Sequence, residues 1–205
     1  MTMSNNTYEV TDLTSLEKLE PVRVRPGMYI GSTGIKGLHH CLWEILDNAI
    51  DEISNGYGNK AAVILNKDKS ITVIDNGRGI PTGIHPIKKK SGVEMVFTEL
   101  HTGGKFNNSN YKTSGGLHGV GAAVVNALSK WVEVEVFQGG KIYKQRFQYG
   151  YDKEAKKDMP GTPVGKLKVV GDTEKQGTKV TFMPDKDIFS TIDIKFDIVD
   201  QRLME

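Results

Sequence analysis

The longest periodic segment of the chain runs from Leu38 to Ser54, where apolar and polar positions alternate with the period of an α-helix. The apolar positions are Leu38, Leu42, Ile45, Leu46, Ala49, Ile50 and Ile53. Four polar residues recur at the same period and form what we call the polar stripe: His40, Glu44, Asn48 and Asp51. Because residues three and four apart are neighbours on a helix surface, the pattern predicts an amphipathic helix with these side chains on one face.

The polar stripe has two interpretations. A carboxylate, an amide oxygen and an imidazole on one face can orient a water molecule, coordinate a hard cation and assist a proton transfer. An ordinary amphipathic helix with a solvated polar face shows the same pattern. The loops that follow the helix favour the chemical interpretation.

The rest of the chain predicts an α/β domain. Residues 61–65 and 71–75 are rich in β-forming residues and flank a polar turn, which predicts a hairpin. A short helix is expected around Leu13, Leu16 and Leu19, ending at Arg25-Pro26-Gly27. Further helices are predicted over 93–100, over 121–129 and at the last residues of the chain. Further strands are predicted over 131–137, 141–149, 165–170 and 178–183. A polar excursion is expected over 151–163, and a mobile Gly-rich and Asn-rich loop over 102–116.

The first of two glycine loops, Asp75 to Pro81, follows a predicted strand directly. Its two glycines allow a tight turn and the close approach of a bound ring. A buried carboxylate at Asp75 can accept a hydrogen bond from an exocyclic amine, while Ile80 and Pro81 form an apolar wall. This arrangement describes an adenine pocket. A plain Asp-Asn-Gly turn is the alternative.

The second glycine loop, Ser114 to Gly121, leads into a predicted helix. Backbone N–H groups at such a position converge on an anion, and the helix dipole adds partial positive charge, so this loop suits phosphate groups. It is not a P-loop, because Gly104-Lys105 is followed by Phe106. The glycine spacing also differs from a Rossmann fingerprint.

Composition narrows the class of protein. The 205 residues contain 27 Lys and Arg against 25 Asp and Glu, so no bulk positive field favours nucleic-acid binding through this part of the molecule. Cys41 is the single cysteine, which excludes an internal disulfide and fits a reducing cytoplasm. The sequence contains neither a membrane-spanning run nor a signal peptide. We therefore expect a cytoplasmic protein without membrane contact.

In this order, the polar stripe and the two loops resemble the ATP-binding motifs of the GHKL superfamily, which includes gyrase, Hsp90, histidine kinases and MutL. Within it, residues 22–31, 38–40, 47–52, 103–106 and 111–126 are similar to the B subunits of bacterial type II topoisomerases. The stretches 111–114 and 178–185 look more like the topoisomerase IV type than the gyrase type. The resemblance covers nearly the whole chain.

The resemblance implies an α/β (α+β) two-layer sandwich of the GHKL (Bergerat) type, with a mixed, mostly antiparallel sheet and helices on one face. It implies an N-terminal arm over 1–20 and an ATP-binding domain over 21–205 with a lid at about 101–121. The last residues lie in a helix without a stop signal, so we expect the chain to be truncated before the family's transducer domain.

The resemblance also assigns roles. Glu44 is the general base that activates water, assisted by His40, while Asn48 binds Mg²⁺ and Asp51 lies behind them. Asp75 binds the adenine amine, with Thr178 completing the contact through a water. The other implied ATP-binding residues are Arg78, Gly79, Ile80 and Pro81 at the base, Gly116, Leu117, His118, Gly119, Val120, Gly121 and Ala122 at the phosphates, Lys105 and Tyr111 on the lid, and Tyr8 reaching the partner subunit's nucleotide. Gln138 departs from the family, which often has an aminocoumarin-contacting arginine there.

The implied function is ATP-driven dimerisation that gates DNA strand passage, with ATP and Mg²⁺ as cofactors. An A subunit with the DNA-cleaving tyrosine is the implied partner, and DNA binds through other parts of the full-length protein. Because the family's γ-phosphate lysine belongs to the transducer domain, we expect this chain to bind ATP and hydrolyse it weakly. The alternatives are an ATP-gated clamp or chaperone and, less favoured by the short segment before the motifs, a histidine-kinase-type phosphotransferase.

Overall fold

A computed structural model describes residues 15–102 and 119–204. The helices are Glu20–Val24 (α1), Gly27–Ile30 (α2), Ile35–Ser54 (α3), Gly92–Thr98 (α4), Gly121–Ala127 (α5) and Phe196–Met204 (α6). The strands are Ala61–Leu65 (β1), Ile71–Asp75 (β2), Ser129–Gln138 (β3), Lys141–Asp152 (β4), Lys157–Pro163 (β5), Lys168–Asp172 (β6) and Gly177–Pro184 (β7). Within these described ranges, no helix is both long and apolar enough to cross a membrane.

The described strands form one sheet in the order β1-β2-β7-β3-β4-β5, and β6 pairs with the other end of β4. Every strand pair among them is antiparallel. The placement of β7 between β2 and β3 brings the end of the first hairpin beside a late segment of the chain. Asp75 and Thr178 are thereby placed on neighbouring strands, although about a hundred residues separate them in the sequence.

The two faces of the sheet differ in character. On β3, Val132, Val134 and Val136 are fully buried under the helices, where α3 and α5 pack. The alternate residues Glu133 and Glu135 lie on the other face and make ion pairs with lysines of the neighbouring strands. This alternation confirms the predicted sheet with helices on one face. The sheet was predicted to be mixed and mostly antiparallel, and all of its described strand pairs are antiparallel.

Most predicted elements are present. The hairpin strands have the predicted bounds, and the main helix begins at Ile35, three residues earlier than predicted, because Gly34 adopts the extended N-cap conformation. The predicted short helix begins only at Glu20. Leu16 precedes it, Leu19 is its N-cap, and Leu13 lies outside the described residues.

The interpretation of residues 151–163 as a polar excursion was wrong, because β5 occupies Lys157–Pro163 and buries Met159. The sequence Met-Pro-Gly-Thr-Pro suggests a turn. However, β5 pairs with β4 alone at the edge of the sheet, where prolines are tolerated, and a bulge interrupts the register between Gln148 and Gly150. Gly161 adopts a φ of +65° and its carbonyl accepts a hydrogen bond from the buried Asn126 amide.

A substitution at Gly161 tests this packing. A methyl group there would lie 2.5 Å from Asn126 Nδ2 and 2.8 Å from Leu19 Cδ1, in a backbone conformation that disfavours Cβ. We expect Gly161→Ala to lower the free energy of unfolding by about 2 kcal/mol or more, measured by urea denaturation. Gly165→Ala is the matched control, since its methyl group meets open space. Equal urea midpoints for the two variants would contradict the described packing of β5.

Candidate functional site

The polar stripe runs along α3, and its members His40, Glu44 and Asn48 are in contact. His40 Nε2 lies 3.3 Å from Glu44 Oε1, and Asn48 Nδ2 donates to the Glu44 carbonyl oxygen at 2.8 Å. The latter bond ties the Asn48 amide to the turn of α3 that carries Glu44. The Glu44 side chain remains 32% exposed, so its carboxylate is accessible from outside the protein. The arrangement provides a solvent-accessible base, an imidazole in contact with it and an amide group on the next turn.

The beginning of α5 lies directly against Glu44. A methyl group added to Gly121 would overlap Glu44 Oε2 and approach Glu44 Cβ to 3.0 Å, so this approach requires glycine at position 121. The predicted base and the end of the second glycine loop, far apart in the sequence, are therefore adjacent. A group held at the start of α5 would lie beside the Glu44 carboxylate.

The first glycine loop holds Asp75 at the end of β2. Asp75 Oδ1 accepts hydrogen bonds from the backbone N–H groups of Gly77 at 2.8 Å and Thr178 at 3.3 Å. Within the described part of the chain, no donor contacts Oδ2. The structure thus brings Asp75 and Thr178 together, and the carboxylate keeps one oxygen for an outside donor.

The ionisation of the Asp75 carboxyl suits a hydrogen-bond acceptor. Burial of the side chain raises the pKa of this carboxyl to about 6. The hydrogen bonds from Gly77 and Thr178 oppose the rise, and the charge of Glu52 adds to it. At neutral pH the carboxyl is therefore mostly ionised, although ionisation of the half-buried group costs free energy.

Glu52 joins the helix to the first glycine loop, and sequence reasoning missed it. Its carboxylate accepts hydrogen bonds from Arg78 at the backbone N–H (2.9 Å), Nε (3.1 Å) and an Nη (2.8 Å). The Arg78 guanidinium also lies over the Tyr57 ring at 3.4 Å from its centroid. Glu52 is one turn beyond Asn48, so the same period could have identified it. The predicted polar stripe ends instead at Asp51, which is buried, with 4% of its surface exposed.

The apolar wall at the end of the first glycine loop, Ile80 and Pro81, is held in place by its neighbours. Ile80 packs against the hydrophobic core, and Pro81 lies so close to α4 that a methyl group on Gly92 would overlap its carbonyl oxygen. Gln138 Nε2 donates to the Arg78 carbonyl oxygen at 3.3 Å, and its Oε1 accepts from Thr82 Oγ1 at 3.1 Å. Gln138 thus holds both ends of the segment that contains Gly79.

The remaining predicted residues are only partly covered by the structure. Gly119, Val120, Gly121 and Ala122 are described, and the Gly119 carbonyl oxygen accepts a hydrogen bond from the Thr102 N–H at 3.1 Å. The two ends of the predicted lid therefore lie side by side. The others fall outside the described residues: Tyr8, Lys105, Tyr111, Gly116, Leu117 and His118.

The site fits a magnesium ion that is shared with a ligand. No group of three His, Cys, Asp or Glu side chains that could hold a metal occurs among the described residues. Mg²⁺ commonly takes one or two protein oxygens and completes its shell with phosphate oxygens and waters. The Asn48 amide oxygen, near Glu44 and the start of α5, is suited to that role.

The raised pKa of Asp75 predicts a pH-dependent stability. Between pH 3.8, the ordinary pKa, and about pH 6 the native state binds more protons than the unfolded state, so stability falls as pH rises through this range. Asp75→Asn keeps the acceptor for Gly77 and Thr178 and cannot ionise. We expect the free energy of unfolding of this variant to exceed that of the wild type by up to about 3 kcal/mol at pH 8 and by almost nothing at pH 4.

Urea denaturation at the two pH values measures this difference. Asp172→Asn, in an exposed ion pair with Lys141, serves as the control and changes stability little at either pH. An advantage of Asp75→Asn that is equal at pH 4 and pH 8 would show that burial does not penalise the ionised carboxyl.

Comparison with known proteins agrees with this geometry. Residues 33–188 match the family of histidine kinase-, DNA gyrase B-, and HSP90-like ATPases. The chain is 54% identical to the B subunit of DNA topoisomerase 4 from Streptococcus pneumoniae over 98% of its length, and equally identical to the one from Staphylococcus aureus strain MW2. It spans about 30% of the length of these relatives.

A solved structure extends the likeness to the fold. The 43K ATPase domain of Thermus thermophilus gyrase B, in complex with an aminocoumarin, superimposes with a TM-score of 0.75 at 43% identity. The match covers 90% of this chain and 44% of that one. The family match spans most of the sequence and the relatives align with nearly all of it, so the chain belongs to the histidine kinase-, DNA gyrase B-, and HSP90-like ATPase family.

Proposed function

We propose that this chain is the ATP-binding and ATP-hydrolysing domain of a type II topoisomerase B subunit of the topoisomerase IV type. The observation that carries the proposal is the meeting of three elements at Glu44: the His40 imidazole, the start of α5 and the Asn48 amide on the next turn. Glu52 links this group to the loop of Asp75. The identity to topoisomerase 4 B subunits supports the choice of type.

Adenine recognition is assigned to Asp75 and its neighbours. The ionised carboxyl has Oδ1 occupied by two backbone N–H groups, so Oδ2 accepts the exocyclic amine of adenine. Thr178 lies beside it and completes the contact through a water. Ile80, fixed against the core, and Pro81, fixed against α4, provide the apolar wall, while Gly79 packs closely against Val136 and the Gly177 carbonyl oxygen.

Phosphate and metal binding are assigned to the opposite end of the site. Asn48 supplies an amide oxygen to Mg²⁺, which neutralises phosphate charge when it is bound. Gly119, Val120, Gly121 and Ala122 surround the phosphates from the start of α5, together with the lid residues. The γ-phosphate then lies next to Glu44, because Gly121 and Glu44 are in direct contact.

Hydrolysis follows from the position of Glu44. Its accessible carboxylate takes a proton from a water that attacks the γ-phosphorus, the bond to the β–γ bridging oxygen breaks and ADP leaves, and the adjacent His40 orients the carboxylate and the water. Backbone N–H groups at the start of α5 stabilise the charge that develops on the transferred phosphoryl group.

In the whole protein, ATP binding dimerises two such domains and gates the passage of one DNA duplex through another. Tyr8 of each arm reaches the nucleotide of the other copy, and Lys105 and Tyr111 close the lid. The B subunit works in the cytoplasm with an A subunit that cleaves DNA. The gyrase B and topoisomerase 4 names of the relatives support this assignment.

Calorimetric titration with a non-hydrolysable ATP analogue and Mg²⁺ tests the binding site. We expect saturable binding by the wild type, no detectable binding by Asp75→Asn, and binding by Asn48→Ala that no longer depends on Mg²⁺. Asp172→Asn, which removes a charge from an exposed ion pair on β6, retains the wild-type dissociation constant. A folded wild type without binding, or Asp75→Asn with unchanged affinity, would contradict the assignment.

Single-turnover hydrolysis with the chain in excess over ATP tests the base. Glu44→Gln keeps the shape of the side chain and removes its basicity, so we expect a rate at least about 100-fold lower with affinity for the analogue unchanged within about twofold. Glu133→Gln, on the other face of the sheet, is the matched control and hydrolyses ATP at the wild-type rate. Unchanged hydrolysis in Glu44→Gln would mean that another group activates the water.

A further inference from the structure

Helix α3 carries a second row of side chains immediately beside the polar stripe. This adjoining row consists of His39, Trp43 and Asp47, each one residue before a member of the polar stripe. One residue rotates a side chain by about 100° around a helix, so the two rows occupy neighbouring faces of the same cylinder. The side of α3 next to the candidate site therefore has its own set of contacts.

The adjoining row holds the segment that follows β7. The Lys195 N–H donates to His39 Nε2 at 3.4 Å, and the Arg202 guanidinium lies 3.8 Å from Asp47 Oδ1. Just before α3, the Thr33 carbonyl oxygen accepts from the Ser190 N–H at 3.0 Å. The contacts advance in the same direction along both partners, so residues 190–202 lie along α3 beside the polar stripe.

The His39 ring is built into this contact. The side chain is buried, with 4% of its surface exposed, and its Nδ1 lies 2.8 Å from the Ile35 carbonyl oxygen. That oxygen can only accept and the Lys195 N–H can only donate, so Nδ1 carries the proton and Nε2 presents its lone pair to Lys195. The neighbouring Trp43 ring, 5.7 Å away between centroids, packs beside the imidazole. The ring orientation is thus determined from three sides.

We propose that His39 is a positioning residue that couples nucleotide binding on the polar stripe to the placement of residues 190–195. This rests on the proposed function, since it takes the nucleotide site to be on α3. A ligand that engages Glu44 and Asn48 restrains α3, and the restrained helix presents His39 to Lys195. Residues 190–195 are then held more firmly when nucleotide is bound.

Linkage makes the coupling reciprocal. If nucleotide stabilises the contact of Lys195 with His39, loss of that contact weakens nucleotide binding by the same factor. Coupling between sites in proteins is typically about 5-fold to 150-fold in affinity. The effect is measurable at both ends: amide exchange at Lys195 and the nucleotide dissociation constant.

Two substitutions separate the two bonds of His39. His39→Asn keeps a donor for the Ile35 carbonyl oxygen, in the geometry by which Asn48 and Asn55 donate to the carbonyl oxygens four residues before them, and it loses the acceptor for Lys195. His39→Gln places an amide oxygen near the position of Nε2 and loses the bond to Ile35. The coupling requires the acceptor, so only His39→Asn removes it.

The experiment is hydrogen–deuterium exchange of this chain with and without a non-hydrolysable ATP analogue and Mg²⁺, together with calorimetric titration. In the wild type and His39→Gln, nucleotide slows exchange at Lys195 at least about fivefold. In His39→Asn the slowing is less than about twofold, and the dissociation constant rises at least about fivefold. The internal control is the Tyr151 amide on β4, whose exchange rate does not change when nucleotide binds.

Each outcome decides the proposal. A wild type that binds nucleotide without slowed exchange at Lys195 overturns it, even if His39→Asn fails to fold. Slowed exchange that persists in His39→Asn overturns it also, and leaves His39 a purely structural role that lowers the thermal midpoint alone. A folded wild type that binds no nucleotide overturns both this inference and the proposed function.

Discussion

The candidate site depends on the close approach of α5 to Glu44, which glycine at position 121 permits. Any side chain there would displace Glu44 or separate α5 from α3. With glycine, the carboxylate of one helix lies at the beginning of another, and both helices pack on the same face of the sheet. The distance between the proposed base and the start of α5 is therefore set by the packing of two helices.

The end of the site around Asp75 lowers the stability of the folded protein. Asp75 is half-buried at the end of β2, next to Gly177, whose φ of +131° and lack of Cβ allow the strands to approach. Burial opposes its ionisation, and Glu52 adds a second negative charge nearby. Arg78 compensates part of that charge by its bidentate contact with Glu52. Such an arrangement is typical of sites where function outweighs stability.

The sequence predicted the features that repeat with a regular period. The helix of the polar stripe and the hairpin of β1 and β2 follow from local patterns, and the motif order identified the family before any contact was known. Contacts between distant elements could not be predicted in this way. The sequence of β5 suggests a turn, and only the position of β5 at the edge of the sheet explains why a strand tolerates Pro160. Glu52 was missed because its partner, Arg78, lies in a loop whose position depends on the sheet.

A crystal structure of this chain with a non-hydrolysable ATP analogue and Mn²⁺ tests the central claim, that α3 and the Asp75 loop form one nucleotide site. The account predicts an anomalous manganese peak about 2.1 Å from the Asn48 amide oxygen. It also predicts the adenine amine about 3 Å from Asp75 Oδ2. Nucleotide bound without contact to Asp75, and no manganese on α3, would contradict it.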